Sequence, residues 1–142
     1  EPVAGDFASV RPAAIAQMSM EQLRGCGLSG RKSTYVFELA NHLLDGSLDV
    51  RTWRRLDDEQ VISELIRIKG IGRWTAEMFL ISFMLRPNVL PVDDIGLQRA
   101  MRLHYNDGEP LSKSEMREIA ENWQPWCTVA TWFMWRSIDP KP

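Results

Sequence analysis

The stretch LIRIKGIGRWTAEMFLISF, residues 65–83, places two glycines, Gly70 and Gly72, between two apolar segments with helical spacing. Glycine is a poor helix former, so the pattern predicts two helices joined by a short turn. At the glycines the backbone can take a positive φ and pass close to another molecule. The amides of the turn and of the next helix start would then form a nest for an anion. A tight turn that binds nothing explains the same glycines equally well.

The composition is that of an ordinary globular domain and excludes several protein classes. Of the 142 residues, 44% are hydrophobic and 25% are charged. No apolar run reaches the ~20 residues that cross a bilayer, and the start EPVAGDFASV has no signal-peptide pattern. Cys26 and Cys127 lack metal-ligand spacing, which excludes a thiolate zinc site or a four-cysteine iron–sulfur cluster within this chain. We expect an intracellular protein with reduced thiols.

The charge distribution permits nucleic-acid binding at a local site. The net charge of −2 argues against a uniformly basic protein that coats DNA. Basic residues nevertheless concentrate between positions 51 and 73, and the balance reverses between 107 and 121. The basic group comprises Arg51, Arg54, Arg55, Arg67, Lys69 and Arg73.

Capping residues and apolar periodicity predict an all-α chain of many short helices. Ser19 and Gln22 have the spacing of a capping box, and Ser29, Asp57 and Ser112 stand where helices would begin. Either Asp93 or Asp94 would cap the helix that follows the acidic pair. The predicted helices include residues 12–18, 74–85 and 126–135, and alternating strand patterns are absent.

Three motifs together resemble one protein family. They are IKGIGRWTAEMF (68–79), LPVDDIGLQRA (90–100), and ENWQPW followed by FMW (121–126 and 133–135). In this order they are similar to the helix–hairpin–helix DNA glycosylases with a Gly/Pro–Asp loop, and within them to the alkylation-repair branch. The resemblance covers nearly the whole chain. It implies a compact multi-helix fold, with residues 1–142 as a single glycosylase domain. It also implies that the family's upstream helices are missing, so that this would be the C-terminal portion of the family fold.

The resemblance assigns the catalytic carboxylate to the acidic pair. The family's aspartate matches Asp94, with Arg99 five residues later as in related glycosylases. Asp93 would then be a helix cap or a supporting residue. Because PVD also matches a sister branch of the family, Asp93 is the second candidate.

The resemblance also implies a DNA-binding hairpin and a pocket for the damaged base. Trp74 and Trp135 match aromatic residues of that pocket, with plain core packing as the alternative for each. Three further tryptophans, Trp123, Trp126 and Trp132, are assigned to the core. The phosphate-contacting positions are Gly70, Gly72 and Thr75, and the carbonyls of Ile66, Ile68 and Ile71 match those that hold a sodium or potassium ion.

The implied activity is excision of alkylated purines, of the 3-methyladenine type, from double-stranded DNA. The family's lyases carry a lysine at the position of Trp74, so the resemblance implies a monofunctional enzyme that needs no cofactor. Cys127 replaces an arginine that relatives usually carry, and the lost charge would affect either the structure or a DNA contact. Two alternatives stay open: a non-catalytic DNA-binding module and a glycosylase for another lesion. In a bacterium the protein would be cytoplasmic and nucleoid-associated, without a membrane partner. The sequence leaves its oligomeric state open.

Overall fold

The computed structural model describes residues 11–139, and all regular elements in that range are helical. This confirms the all-α prediction. Two short 3-10 turns, Trp53–Arg55 and Glu121–Trp123, accompany the helices. The helices are α1 (Pro12–Ala16), α2 (Met20–Gly25), α3 (Gly30–Leu44), α4 (Asp58–Ile66), α5 (Arg73–Ser82), α6 (Ile95–Tyr105), α7 (Lys113–Ala120) and α8 (Cys127–Ile138).

Four helices begin at the capping residues that the sequence predicts. Ser19 and Gln22 form a reciprocal capping box at α2, and Ser29 accepts from the Lys32 amide at α3. Asp57 and Ser112 cap α4 and α7 in the same reciprocal way. Such caps pair amides that have no partner inside the helix, so they fix where each helix starts.

Helix ends agree less well with the sequence pattern than helix starts. The helix predicted over 74–85 begins at Arg73 and ends at Ser82. Beyond it, Leu85 takes a positive φ of 55°, and the Arg86 amide donates to the Leu80 carbonyl at 3.0 Å. The last helix runs to Ile138, three residues beyond the predicted end at Trp135. Apolar periodicity continues past a helix end when the following residues also pack, so it locates ends poorly.

The chain divides into two compact units, Glu1–Gly72 and Arg73–Pro142. In the first unit, α1 and α2 pack against α3. Its buried apolar residues are Leu23, Ala40, Leu48, Trp53, Val61, Ile62, Leu65 and Ile68. The single-domain assignment for residues 1–142 stays a prediction.

The second unit is built on the packing of α6 against α8. Its core includes a cluster of four buried residues, Val92, Leu97, Met101 and Met116. Trp123 and Met134 are among the partly buried residues that pack on this cluster. The core therefore fixes α6 and α8 side by side, and these two helices carry most of the candidate site.

Two tryptophans predicted to lie in the core are exposed. Trp126 is 58% exposed and Trp132 is 56% exposed, so the prediction is wrong for both. Helix α8 is apolar on nearly all sides, with Val129 and Phe133 exposed as well. Because a helix packed on one neighbour buries one face only, the remaining apolar side chains of α8 stay at the surface.

Within residues 11–139, no helix is both long enough and apolar enough to cross a membrane.

Candidate active site

Asp94 is the buried member of the acidic pair. It is the N-cap of α6, where its Oδ1 accepts from the Leu97 amide at 2.7 Å, and the residue is 9% exposed. Asp93 is exposed and forms an ion pair with Lys113. The alternative in which Asp93 caps the helix is therefore wrong, because its carboxylate turns away to Lys113. The two neighbouring carboxylates occupy different environments.

Two indoles donate hydrogen bonds to the same carboxylate. Trp74, on α5, donates its Nε1–H to Oδ2 of Asp94 at 3.0 Å. Trp135, on α8, donates its Nε1–H to Oδ1 at 2.7 Å. The structure thus brings together Trp74, Asp94 and Trp135. Trp74 is 46% exposed and Trp135 is half-buried, so neither indole is plain core packing.

The hydrogen bonds of Asp94 leave one of its oxygens with spare capacity. A carboxylate has about four lone-pair positions, two on each oxygen. Oδ1 accepts from both the Leu97 amide and Trp135, whereas among residues 11–139 Oδ2 accepts from Trp74 alone. One acceptor position on Oδ2 remains for a substrate or a water molecule.

Trp132 supports the orientation of Trp135. Their rings meet edge to face, with centroids 5.5 Å apart and an interplanar angle of 74°. This arrangement is favourable for aromatic pairs because the edge of one ring carries positive potential and the face of the other negative potential. Trp132, assigned to the core from sequence, instead lies beside the candidate site.

The loop before α6 is tied to the start of α8. The Thr128 hydroxyl donates to the Arg86 carbonyl at 2.6 Å and accepts from the Val89 amide at 3.0 Å. The Asn88 side-chain oxygen accepts from the Cys127 amide at 3.2 Å. These bonds connect the loop that leads to Asp94 with the helix that carries Trp135.

Two residues near Asp94 were not identified from sequence. Gln98 donates its side-chain amide to the Val92 carbonyl at 2.8 Å and so holds the turn before the helix. Gly96 lies in the first turn of α6, where an added Cβ would lie 3.1 Å from Asp94 Oδ1 and 3.2 Å from Trp135 Cδ1. A glycine in the first turn of an otherwise regular helix was the available signal for Gly96.

The glycine hairpin differs from expectation at one position. Gly70 has a positive φ of 93°, and a Cβ there would lie 2.2 Å from the Tyr35 ring. Gly72 does not have a positive φ, and a Cβ there would meet no atom within 4 Å, so the expectation of positive φ is wrong at Gly72. The Ile71 amide donates to the Ile68 carbonyl at 3.1 Å and closes a turn whose central residues are Lys69 and Gly70. Gly72 lies after this turn.

The other hairpin positions fall in different surroundings. Ile71 is half-buried, and Ile68 is 3% exposed. Ile66 is the last residue of α4 and its side chain is 48% exposed. Thr75 is exposed in the first turn of α5, in the second unit.

The basic group between positions 51 and 73 is partly neutralised by carboxylates. Arg51 pairs with Asp49 at 2.9 Å, Arg67 with Glu64 at 3.2 Å, and Arg73 with Glu77 at 3.0 Å. The hydrogen bond from Arg51 holds the pKa of the Asp49 carboxyl below its usual value. The positive charge available to an anion is therefore smaller than the sequence alone indicates.

Cys127 is a buried residue at the start of α8. It is 3% exposed, and its Sγ lies 3.7 Å from the Ala120 carbonyl oxygen. Burial raises the pKa of the Cys127 thiol. Of the two roles considered for this position, the burial favours a structural one.

The glycine turn before α5 and the buried Asp94 that caps α6 agree with the family resemblance of the three sequence motifs. This chain belongs to the HhH-GPD superfamily of base excision DNA repair proteins, whose family model matches residues 3–125.

Sequence and structure relatives agree with this assignment. DNA-3-methyladenine glycosylase 1 of Schizosaccharomyces pombe is 33% identical over 127 residues, covering 89% of this chain and 56% of the relative. The solved structure of the S. pombe 3-methyladenine DNA glycosylase with abasic DNA is similar, with a TM-score of 0.83, 33% identity, and coverage of 89% and 62%. The crystal structure of a DNA-3-methyladenine glycosidase from Bacillus halodurans is also similar, with a TM-score of 0.80 and 37% identity. The match covers 89% of this chain and 58% of that chain. The chain spans about half the length of the first curated relatives that it matches, 45% and 56%.

Proposed function

We propose that this protein is a monofunctional DNA glycosylase that removes alkylated purines of the 3-methyladenine type from double-stranded DNA by hydrolysis. The observation that carries the proposal is the buried Asp94 carboxylate, which accepts an indole N–H from Trp74 and another from Trp135. The S. pombe relative, which matches 89% of this chain, is named a 3-methyladenine DNA glycosylase.

Asp94 is proposed as the catalytic carboxylate. Breaking an N-glycosidic bond develops positive charge on the sugar, as in an oxocarbenium ion. A fixed negative charge in a water-excluded site stabilises that charge strongly. The spare acceptor position on Oδ2 would face the sugar or accept a proton from the attacking water, while Oδ1 stays occupied by Leu97 and Trp135. Asp93, paired with Lys113 at the surface, is the second candidate.

Trp74 and Trp135 are proposed to line the pocket of the extruded base. An alkylated purine carries positive charge and leaves without a general acid. Indole faces attract a cation by roughly 0.5–2 kcal/mol each. The nitrogen edges of both rings point at Asp94, so a base stacked on either ring would lie beside the carboxylate. Flipping the base out of the duplex costs a few kcal/mol, least for damaged pairs.

The hairpin residues are proposed to contact DNA phosphates. Gly70 and Gly72 would do so with backbone amides at the end of the first unit, and Thr75 with its amide or hydroxyl at the start of α5. Such contacts position the protein without reading the base sequence.

The carbonyls of Ile66, Ile68 and Ile71 are the proposed ligands of a sodium or potassium ion. Their donor set fits such an ion, because neutral carbonyl oxygens can replace part of the hydration shell of an alkali cation. Ile66 is the last residue of α4, where helix carbonyls have no amide partner within the helix. The bound ion would supply positive charge near the phosphates. The proposed reaction itself needs no cofactor.

The proposed monofunctional chemistry rests on Trp74. An indole cannot form the Schiff base that a lysine forms with the sugar. Excision would therefore leave an intact abasic site. In a bacterium, the enzyme would act in the cytoplasm at the nucleoid.

A lesion panel tests the proposal. Duplexes that carry an alkylated purine, a mismatched adenine, an oxidised pyrimidine or no lesion are incubated with excess protein, and strand breaks are measured with and without hot alkali. We expect breaks only for the alkylated purine and only after alkali. Breaks without alkali, or trapping of a covalent adduct by borohydride, would contradict the monofunctional assignment. Binding without excision of any lesion would favour the non-catalytic module.

A further inference from the structure

Gly96 lies in the first turn of α6, where a side chain would collide with the indole–carboxylate contact. A Cβ at this position would lie 3.1 Å from Asp94 Oδ1, 3.2 Å from Trp135 Cδ1 and 3.4 Å from Trp135 Nε1. The first two separations are tighter than those of ordinary van der Waals contacts, so Asp94 or Trp135 would have to move by a few tenths of an ångström.

The backbone does not explain the glycine. Gly96 has no positive φ, in contrast to Gly70 at 93°. It lies inside a regular helix, Ile95–Tyr105, where alanine is the better helix former. The glycine therefore lowers the intrinsic stability of α6. The reason for a glycine here lies in the side chains that surround position 96.

We propose that Gly96 is a positioning residue, and that its missing side chain lets the pyrrole edge of Trp135 reach Oδ1 of Asp94. The inference rests on the proposed function, in which Asp94 carries the catalytic charge. The hydrogen bond from Trp135 is the shorter of the two indole bonds, 2.7 Å against 3.0 Å from Trp74. Oδ1 is then filled by two donors, and Oδ2 keeps the open acceptor position.

The role of Gly96 in the reaction is geometric. A side chain at position 96 would push Trp135 off Oδ1 or turn the Asp94 carboxylate about its Cβ–Cγ bond. Either movement changes where Oδ2 points. Because the stabilisation of developing charge depends on preorganised position, a displacement of less than an ångström reduces the rate of the chemical step. DNA binding outside the pocket is unaffected.

Gly96→Ala is the test variant, and Gly30→Ala is its matched control. Gly30 is also a helical glycine without positive φ, at the start of α3, and a Cβ there meets nothing within 4 Å. We expect Gly96→Ala to lower the single-turnover excision rate about tenfold, with an unchanged dissociation constant for undamaged duplex. Its melting temperature should fall relative to that of Gly30→Ala, because only at position 96 does the added Cβ weaken a hydrogen bond to a buried carboxylate. An active, folded Gly96→Ala with the parental rate would overturn the inference.

Nuclear magnetic resonance of the indole N–H groups tests the contact independently of activity. Trp135→Phe removes one indole signal and thereby assigns it. We expect that signal to move in Gly96→Ala toward the position of an indole exposed to water, and to stay in place in Gly30→Ala. An unmoved Trp135 signal in folded Gly96→Ala overturns the inference. If the parent chain excises no lesion, the proposed function fails, and this measurement still decides the geometric role of Gly96.

A double variant covers the case in which Gly96→Ala does not fold. Trp135→Ala removes both ring atoms, Cδ1 and Nε1, that an added Cβ at position 96 would meet. Recovery of folding in Gly96→Ala/Trp135→Ala supports the steric contact. If the double variant does not fold although Trp135→Ala alone folds, the defect has another cause and the inference is overturned.

Discussion

The indole N–H of Trp135 lies 2.7 Å from Oδ1 of Asp94, although the two residues are 41 positions apart in the chain. The same oxygen caps α6 through the Leu97 amide. One carboxylate oxygen thus joins the start of α6 to the last turns of α8. The hydrogen bonds that cap α6 and those that orient the Asp94 carboxylate therefore share one oxygen atom, so a variant that disturbs one also disturbs the other.

Asp94→Asn should lower the single-turnover excision rate by about 10²–10³, the scale of removing one preorganised electrostatic group. Asparagine caps helices about as well as aspartate, and its oxygen can keep the bonds from Leu97 and Trp135. Its amide group would then oppose the Trp74 N–H. We therefore expect a stability loss of about 1 kcal/mol, measured by urea denaturation.

Asp93→Asn is the matched control for that variant. It breaks an exposed ion pair with Lys113, which should cost no more than about 1 kcal/mol of stability. The excision rate should stay within a factor of a few of the parental rate. An inactive Asp93→Asn together with an active Asp94→Asn would move the catalytic assignment by one residue.

Trp135→Phe and Trp135→Ala should separate the two roles of this indole. Phenylalanine keeps an aromatic face and loses the N–H, so excision should fall by about tenfold for cationic and neutral alkylated purines alike. Alanine also removes the face, so it should cause an additional loss for cationic alkylpurines. The measurement is the ratio of single-turnover rates on the two lesion types. An unchanged ratio in Trp135→Ala would assign Trp135 to orientation of Asp94 alone.

Gly72→Val tests the phosphate contact without disturbing the fold. A Cβ at Gly72 meets no protein atom within 4 Å, so stability should change little. DNA affinity should fall by a similar factor for damaged and undamaged duplexes, because phosphate contacts carry no sequence information. Gly25→Val is the control, because an added Cβ at Gly25, at the end of α2, also meets nothing within 4 Å. Unchanged affinity of folded Gly72→Val would leave the hairpin as a structural turn.

Gly70→Ala should act on folding. Its Cβ would overlap the Tyr35 ring, and its φ of 93° is unfavourable for alanine. We expect the free energy of unfolding to fall by about 2–4 kcal/mol. A change below about 0.5 kcal/mol would show that Tyr35 moves aside at little cost.

The two cysteines should react differently with thiol reagents. Cys26 is exposed and Cys127 is buried, so the native chain should be modified at one thiol and the denatured chain at two. The raised pKa of Cys127 stabilises the fold below the usual thiol value of 9.0, and this contribution is lost as pH rises through the folded-state pKa. Cys127→Ala should therefore weaken the decline of stability at alkaline pH, whereas Cys26→Ala should leave that decline unchanged.

Features that depend on residues close together in the chain could be predicted from the sequence. Caps such as Ser19 with Gln22 act over three positions, so they could be read directly, and the all-α class followed from them. The motifs around Gly70 and Asp94 likewise gave the family, because their order and spacing are linear properties. The local sequence pattern could not distinguish the roles of Asp93 and Asp94, because either aspartate could be the N-cap of the following helix.

Contacts between side chains that are far apart in the chain could not be predicted in the same way. Asp94 receives one indole from 20 positions upstream and another from 41 positions downstream, and no local pattern encodes those contacts. The packing of α6 on α8 likewise decided that Trp126 and Trp132 are exposed and that Gly96 faces Trp135. This difference arises because helical periodicity shows which face of a helix is apolar, whereas the burial of its side chains depends on which neighbouring element covers that face.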